Sequence, residues 1–326
     1  MKYKVLGKTG MKVSRICIGC MSFGGPKSEG FQWTLGYEDS KKIIDRAVDL
    51  GINFFDTADV YSNGQSEEIV GRSLAGRRNQ VVLATKVGLP TGKGPGDRGL
   101  ARGHIRKNLK RSLEHLRTDR VDLYQIHRWD YGVPIAKVLA TLTEAVKEGE
   151  VDHIGASSMW ARQLLQAIHT SEDKGLEKFE TMQNHYNLAY REEEREMIPL
   201  CAERGIPIIP WSPLARGFLT GRYSRGSKPD NLRYRKDAYL SGRYFKPEDF
   251  DVVERLVEVA REKGVTPAQL ALAWLLNKET VCSPIVGPTK VEQLDELADS
   301  VEITLKQSDM QRLEEPYKPH PVLGHQ

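Results

Sequence analysis

The 326-residue sequence is poor in cysteine: Cys17, Cys20, Cys201 and Cys282 are all it has, too few and too scattered for a disulfide framework. It also lacks any run of the roughly 18 apolar residues a membrane-spanning helix needs, and its N-terminus has no apolar stretch of signal length. A soluble, cytoplasmic protein with no membrane partner is the expectation. Charge of one sign is missing too. The 48 Lys and Arg stand against 44 Asp and Glu, a formal net charge of +4, so no strong field invites nucleic acid. Of the eight histidines, only His127 closes an apolar strand-like run, whereas a metal-dependent barrel hydrolase needs several His and carboxylates converging at such ends; no metal is expected. Cys17 and Cys20 form a C-x-x-C, but within the run Ile16 to Cys20 side chains three apart face opposite sides of a strand. That spoils a two-sulfur claw and points to buried structural thiols.

What is present is a rhythm. Short runs rich in Val, Ile and Phe alternate with stretches of helical period from residue 16 to residue 298. The strand candidates are Ile16–Gly19, Asn53–Thr57, Val81–Lys86, Val121–His127, Val151–Ser157, Thr181–Gln183, Pro207–Trp211 and Ser283–Gly287, eight in all. Between them lie helix candidates such as Asp39–Leu50, Ser66–Leu74, Arg102–Leu116, Pro134–Lys147, Glu192–Glu203 and Val291–Ala298. Gly51, Gly149, Gly205 and Gly264 each fall just past a helical stretch, where a left-handed residue closes the last turn at little cost. Eight strand-then-helix units suit a closed parallel barrel, because closure leaves no edge strand. The expectation is one α/β domain over residues 1–326: a (β/α)8 TIM barrel preceded by a β-hairpin (Tyr3–Leu6 with Lys12–Ser14) that closes one end, with a long loop at 214–247 after strand 7.

Barrel active sites are assembled at the C-terminal strand ends, and here the apolar runs finish on polar groups. Phe54-Phe55 leads into Asp56, Val81 to Ala84 into Thr85-Lys86, and Leu123 to Ile126 into His127. Likewise Ile154 to Ala156 leads into Ser157-Ser158, Met182 into Gln183, and Ile208 to Pro210 into Trp211-Ser212. Lys86 at the end of a buried strand needs a counter-charge, which Asp56 on the neighbouring strand can supply. Tyr61, five residues beyond Asp56, can bring its phenol over the same rim. An ammonium nearby stabilises the phenolate, lowering the phenol's pKa and making it a better proton donor near neutrality. With His127 as a second donor, the set suits a carbonyl that becomes an alcohol.

These residues lie within ordered motifs that resemble the aldo-keto reductase superfamily over essentially the whole chain. The most specific stretch runs from Gly51 through Asp56 and Thr57-Ala58-Asp59-Val60 to Tyr61, followed by Glu67-Glu68 and Gly71. Further matches are Ala84-Thr85-Lys86, Asp122 to His127, Ile154 to Ser158, Gln183 to Asn187, Pro210 to Leu214, and Pro284 to Gly287 with Thr289, Lys290 and Gln293. Segments such as His127 to Asp130 and Ser212 to Gly217 are most similar to the family's microbial branch of generic NADP-dependent reductases. The resemblance implies a small carbonyl substrate, an extended NADPH across the C-terminal rim, and a catalytic tetrad of Asp56, Tyr61, Lys86 and His127. Tyr61 is then the general acid, its pKa lowered by Lys86 that Asp56 holds, and His127 orients the carbonyl.

For the cofactor, the resemblance puts the carboxamide against Ser157, Ser158 and Gln183 and the nicotinamide ring on Trp211, with Met21 close by. Ser212, Leu214 and Gly217 follow the pyrophosphate, with Arg216 as a phosphate partner. Gly287, Thr289, Lys290, Gln293 and Glu296 match the adenosine end, and Lys290 with Thr289 suits a 2′-phosphate, favouring NADPH over NADH. Departures from the family pattern are Ser158 for a common Asn, Trp211 for a frequent Tyr, Cys20 for a usual Thr, and Leu297 for an Asn that contacts adenine; a leucine cannot keep that contact. Trp33, Trp129 and Trp160 are candidate pocket walls or packing residues.

Other readings compete with parts of this. The Gly-rich loop Gly92 to Gly99 has Asp97 where the dinucleotide fingerprint needs its third Gly, and no Gly-Lys-Ser/Thr follows, so an exposed loop or lid is expected rather than a phosphate cradle. Arg102, Arg106 and Lys110 share a helix face that reads as solvated. A nucleotide-sensing regulatory subunit with little turnover is the alternative function on the same fold.

Overall fold

The computed structural model of the protein describes residues 1–25, 34–94, 96–226, 242–323 and 325. Strands β1 (Tyr3–Val5) and β2 (Lys12–Ser14) pair antiparallel as a hairpin, Tyr3 facing Ser14 and Val5 facing Lys12. The apolar runs that follow become β3 (Cys17–Gly19), β4 (Phe54–Asp56), β5 (Val82–Val87), β6 (Val121–Ile126), β7 (Val151–Ser157), β8 (Met182–Gln183) and β9 (Ile285–Val286). All pair in parallel, in the order β8-β7-β6-β5-β4-β3-β9.

The expected seventh barrel strand, Pro207–Trp211, forms only isolated bridges: Ile208 lies opposite both Met182 and Val281, and Trp211 opposite His185. The reason is local, since Pro207 and Pro210 offer no N–H and interrupt the ladder. Main-chain bonds on both flanks nonetheless tie this segment in. Ile209 N–H donates to Met182 O at 2.9 Å and Ile208 N–H to Thr280 O at 2.9 Å, while Cys282 and Ile285 N–H donate to Ile208 O and Pro210 O at 2.8 Å each. It thereby links β8 to β9, and the sheet closes as a (β/α)8 barrel.

Around the sheet run α1 (Tyr37–Asp49), α2 (Gln65–Ser73), α3 (Arg102–Leu116), α4 (Ile135–Lys147), α5 (Ala161–Lys174), α6 (Met197–Arg204), α7 (Pro247–Lys263), α8 (Pro267–Leu276) and α9 (Val291–Ala298). A further helix, α10 (Gln307–Glu314), lies beyond the expected rhythm. The expected helix Glu192–Glu203 is split into a 3-10 turn, Glu192–Glu194, and α6. Restarting at Met197 leaves Pro199 in a first turn, where its ring meets no helical carbonyl one turn back. The basic face of α3 is paired with acids of the next unit: Arg102 with Glu144 at 2.9 Å, and Arg106 with Glu148 and, at 2.8 Å, with Glu150. The Gly-rich loop is closed on itself, Gly94 N–H donating to Asp97 Oδ2 at 3.0 Å, and is tied to the next loop by Leu100 N–H to Asp130 Oδ2 at 2.6 Å. Among the described residues no helix is long and apolar enough to cross a membrane.

Strand alternation divides the interior into two cores. Ile18, Phe55, Leu83, Tyr124 and Ile154 point outward into the layer under the helices, while Cys17, Phe54, Val82, Ala84, Leu123 and Ile209 point into the barrel with Leu6 and Val13 of the hairpin segment. The hairpin therefore plugs the N-terminal end. Cys17 and Cys20 fall in different cores and are free, buried thiols. Gly155 is inward-facing where space is short: a Cβ there would stand 2.4 Å from Thr181 Oγ1 and 3.0 Å from Gln125 Cγ. Its lack of a side chain lets the polar residues above the apolar plug interdigitate.

Candidate active site

Two residues further along the inward-facing series, each strand changes from apolar to polar. In β4, Phe54 is followed by Asp56; in β5, Ala84 by Lys86; in β6, Leu123 by Gln125 and then His127 just past the strand. Lys86 has no exposed surface, and Asp56 is 3% exposed. The Lys86 ammonium donates to Asp56 Oδ1 at 2.5 Å, to Thr57 O at 2.7 Å and to the Tyr61 hydroxyl at 3.3 Å. Three donors thus meet three acceptors, which satisfies a cation cut off from water. The other carboxylate oxygen, Asp56 Oδ2, accepts from Gln125 Nε2 at 2.9 Å and Gln183 Nε2 at 3.0 Å. Tyr61 is carried on the turn after β4, whose Asp59 N–H donates to Lys86 O at 3.2 Å and Tyr61 N–H to Ala58 O at 3.1 Å. Its ring lies edge-on to His127, centroids 5.8 Å apart and planes at 84°.

Electrostatics fix the protonation of this group. Burial alone would depress the Lys86 ammonium, but the charge of Asp56, with Tyr61 and both hydrogen bonds, lifts its pKa above the ordinary lysine value. Burial pushes the Tyr61 phenol above its ordinary value, with Lys86 pulling the other way. This corrects the sequence expectation of a net lowering: in the protein alone, desolvation of the phenolate outweighs the ammonium. His127 is held well below its ordinary value by burial, then by the charges of Lys86 and Arg128. Its imidazole is neutral, and Nδ1 is buried with no hydrogen-bond partner among the described residues. A neutral ring with one N–H beside a protonated phenol can hold an oxygen atom from two sides.

Along the rim, Ser157 ends β7 and Ser158 follows it, their hydroxyls 3.3 Å apart, and Ser157 Oγ donates to Gln183 O at 3.0 Å. Trp211 Nε1 donates to Ser158 Oγ at 3.0 Å, so the serine standing where an asparagine is common is fixed by the tryptophan standing where a tyrosine is frequent. Ser212 (φ 53) and Arg216 (φ 56) are left-handed, and Ala215–Thr220 coils as a 3-10 stretch around Arg216 and Gly217. Among the described residues no atom beyond its chain neighbours lies within 4 Å of a Cβ placed on Gly217, and only Gly19 O, at 3.7 Å, lies near one on Gly287. Thr289 N–H and Oγ1 both reach Gln293 Oε1, at 2.9 and 3.2 Å, at the start of α9. Lys290 is exposed, and Met21 and Leu214 are half-buried. A half-buried indole, neighbouring hydroxyls, open glycine backbone and Arg216 with Lys290 form a donor set that fits an extended nicotinamide dinucleotide phosphate.

Other candidates have contacts of their own within the protein. Glu296 accepts from Thr266 Oγ1 at 2.5 Å at the head of α8, and Leu297, the departure from the family's asparagine, is on the buried face of α9. Trp129 packs on the outer core. Trp160 is 37% exposed and stacks on His325, centroids 4.7 Å apart. Trp33 and much of the 214–247 loop lie outside the described residues. Sequence reasoning missed Gln125, although a polar residue two before His127 in an apolar strand shares its inward parity. It also passed over His185, which lies within the Gln183 to Asn187 match and is buried against Trp211. Among the described residues no group of three or more His, Cys, Asp or Glu could hold a metal ion.

A parallel barrel with a buried lysine–carboxylate pair, a phenol and a neutral imidazole at one rim defines a carbonyl oxidoreductase of the NADP(H)-binding barrel class. The chain belongs to the aldo/keto reductase family, whose model matches residues 15–318. It is 40% identical to versiconal hemiacetal acetate reductase of Aspergillus parasiticus, covering 99% of this chain and 98% of that protein. It is also 37% identical to aldo-keto reductase AMT2 and 36% identical to aldo-keto reductase dtxS3, from Alternaria alternata and Metarhizium robertsii, each over 99% of this chain and 93% of the relative.

Proposed function

We propose that the chain, acting as one catalytic domain, reduces aldehydes or ketones to alcohols with NADPH in preference to NADH, and that Tyr61 is the proton donor. The observation that carries this reading is the Lys86 ammonium, shared between Asp56, Thr57 O and the Tyr61 hydroxyl. When bound at this rim, the nucleotide would supply the hydride that the carbonyl carbon accepts. Tyr61 gives its proton to the carbonyl oxygen as negative charge develops there, and Lys86 stabilises the resulting phenolate. Asp56 keeps the ammonium aimed, and Gln125 and Gln183 keep Asp56 aimed. The His127 N–H holds the carbonyl oxygen against the phenol.

Gln183 donates its amide N–H groups to Asp56 and, at 3.2 Å, to Gln125 Oε1, which leaves its own oxygen to receive a carboxamide N–H beside Ser157 and Ser158. Trp211 is the surface for the nicotinamide ring. Ser212, Leu214, Arg216 and Gly217 take the diphosphate, Gly287 the adjoining backbone approach, and Thr289, Lys290 and Gln293 the 2′-phosphate end. Four free, buried cysteines suit the reducing cytoplasm.

The test is steady-state consumption of NADPH and of NADH against a panel of aldehydes and ketones, with Tyr61→Phe alongside. Turnover with NADPH, reduced about a hundred- to ten-thousandfold by Tyr61→Phe with nucleotide binding intact, is expected. Binding without turnover on any carbonyl would instead favour a nucleotide-sensing regulatory subunit, and near-normal turnover of Tyr61→Phe would make it the wrong acid.

A further inference from the structure

Behind Trp211 lies a feature that the reaction does not use. His185 is 1% exposed, and its imidazole is sandwiched between two rings. Trp211 lies 4.2 Å away at 11° on one contact, and Tyr190 4.1 Å away at 14° on the other. The polar edge is tethered as well: His185 Nε2 is 2.6 Å from the Tyr244 hydroxyl. Asn187 Nδ2 donates to that same hydroxyl oxygen at 3.0 Å and to Ser212 O at 2.9 Å. With its oxygen accepting from Asn187, Tyr244 donates its proton to His185 Nε2. Burial first, then the charges of Arg243, Arg216 and Arg128, hold the imidazole pKa well below its ordinary value, which suits the acceptor role. His185 Nδ1 makes no hydrogen bond among the described residues, so Tyr244 is the ring's polar tether there.

Tyr244 faces two ways. Its ring stacks near-parallel on Phe218 at 5.9 Å and 11°, and Phe218 belongs to the same 3-10 stretch as Arg216 and Gly217. One side chain therefore contacts the residue backing the indole and the segment assigned to the diphosphate. The two parts of the nucleotide site, separated along the rim, are joined through His185 and Tyr244.

We propose that His185 is a positioning residue of the nucleotide site: stacked against Trp211 and hydrogen-bonded to Tyr244, it holds the indole platform and the Phe218 segment in one fixed relation, so that the nicotinamide and diphosphate ends of NADPH are seated together. The inference rests on the NADPH reading given above and concerns binding, so it is tested by binding. Purified full-length protein is titrated with NADPH, followed by the nucleotide's own fluorescence, and release is timed in a stopped flow. Stacking and hydrogen bonding of this kind lead to an expected loss of about tenfold in affinity for His185→Ala and about three- to fivefold for Tyr244→Phe. The double variant should bind no more weakly than His185→Ala alone within about twofold, because both changes break the same tether. The KM for NADPH should rise with these losses while kcat moves less, and thermal unfolding serves as the fold control.

His185→Phe keeps a flat ring and removes Nε2, so its loss should match that of Tyr244→Phe; it carries the test if the alanine variant does not fold. Wild-type affinity in both His185→Phe and Tyr244→Phe, or losses that multiply fully in the double variant, would overturn the proposal. A wild-type protein that binds no NADPH would sink the functional reading instead.

Discussion

The two ends of the barrel interior use the same strands for opposite ends. At the N-terminal end, Phe54, Val82, Leu123 and Ile209 close on Leu6 and Val13 with no charged group among them. At the C-terminal end, two residues further on, Asp56, Lys86, Gln125 and Gln183 are equally cut off from water, yet every charge has a partner. The apolar plug gains from burial itself, while the polar tier has to recover the cost of desolvation through geometry. The lower tier is therefore tolerant of exchange between apolar shapes, and the upper tier is intolerant of losing any single partner.

The sharpest way to break this comparison is Lys86→Met. It leaves Asp56 buried without its counter-charge, for a cost of about 3–5 kcal/mol, and removes the group that stabilises the Tyr61 phenolate. Turnover should fall about a hundred- to ten-thousandfold, and denaturant unfolding together with steady-state rates would expose an error in either number. Phe54→Ala attacks the other tier. A loss of about 3–5 kcal/mol of stability is expected with NADPH affinity near wild type; a large affinity change would mean that the tiers are not independent. Gln125→Leu removes one of the two amides on Asp56 Oδ2 and should lower kcat about tenfold, through a less well aimed Lys86, with little change in the KM for NADPH.

A pH profile sharpens the upper tier without mutation. Tyr61 is raised above its ordinary 10.0 and His127 is depressed well below its ordinary 6.5, so the phenol keeps its proton, and the imidazole stays neutral, throughout that interval. Carbonyl reduction should then show no limb between about pH 6.5 and 10, falling only as Tyr61 ionises above it. A limb near neutrality in kcat/KM would show that one of these assignments is wrong. The smallest effect belongs outside the barrel: Arg106→Gln, removing pairs to Glu148 and Glu150 that are partly solvated, should cost no more than about 1 kcal/mol.

Much of the upper tier was legible because a strand's period of two is strict. Asp56, Lys86 and His127 close apolar runs, and closing them at one rim follows from parallel strands alone. The pairing of Lys86 with Asp56 could be argued from charge before any distance was known. Other features follow from contacts distant in sequence. Pro207 and Pro210 were visible as residues, but that main-chain bonds on either flank would still close the barrel depends on neighbours at 182 and 280–285. The direction of the Tyr61 shift was misread because proximity to Lys86 can be inferred from sequence, whereas the degree of burial that outweighs it cannot.

By itself, the sequence determined the order of strands and helices, the polar residues at the strand ends and the pairing of charges, since each depends on local period, capping or short-range electrostatics. Only the tertiary structure decided that Gln125 and Gln183 share Asp56, and that His185 sits between Trp211 and Tyr190 with Tyr244 on its edge. Apart from the stack of His185 on Tyr190, five residues along the chain, those contacts join residues from 26 to 127 positions apart, and no local rule constrains a pair that meets only once the barrel has closed.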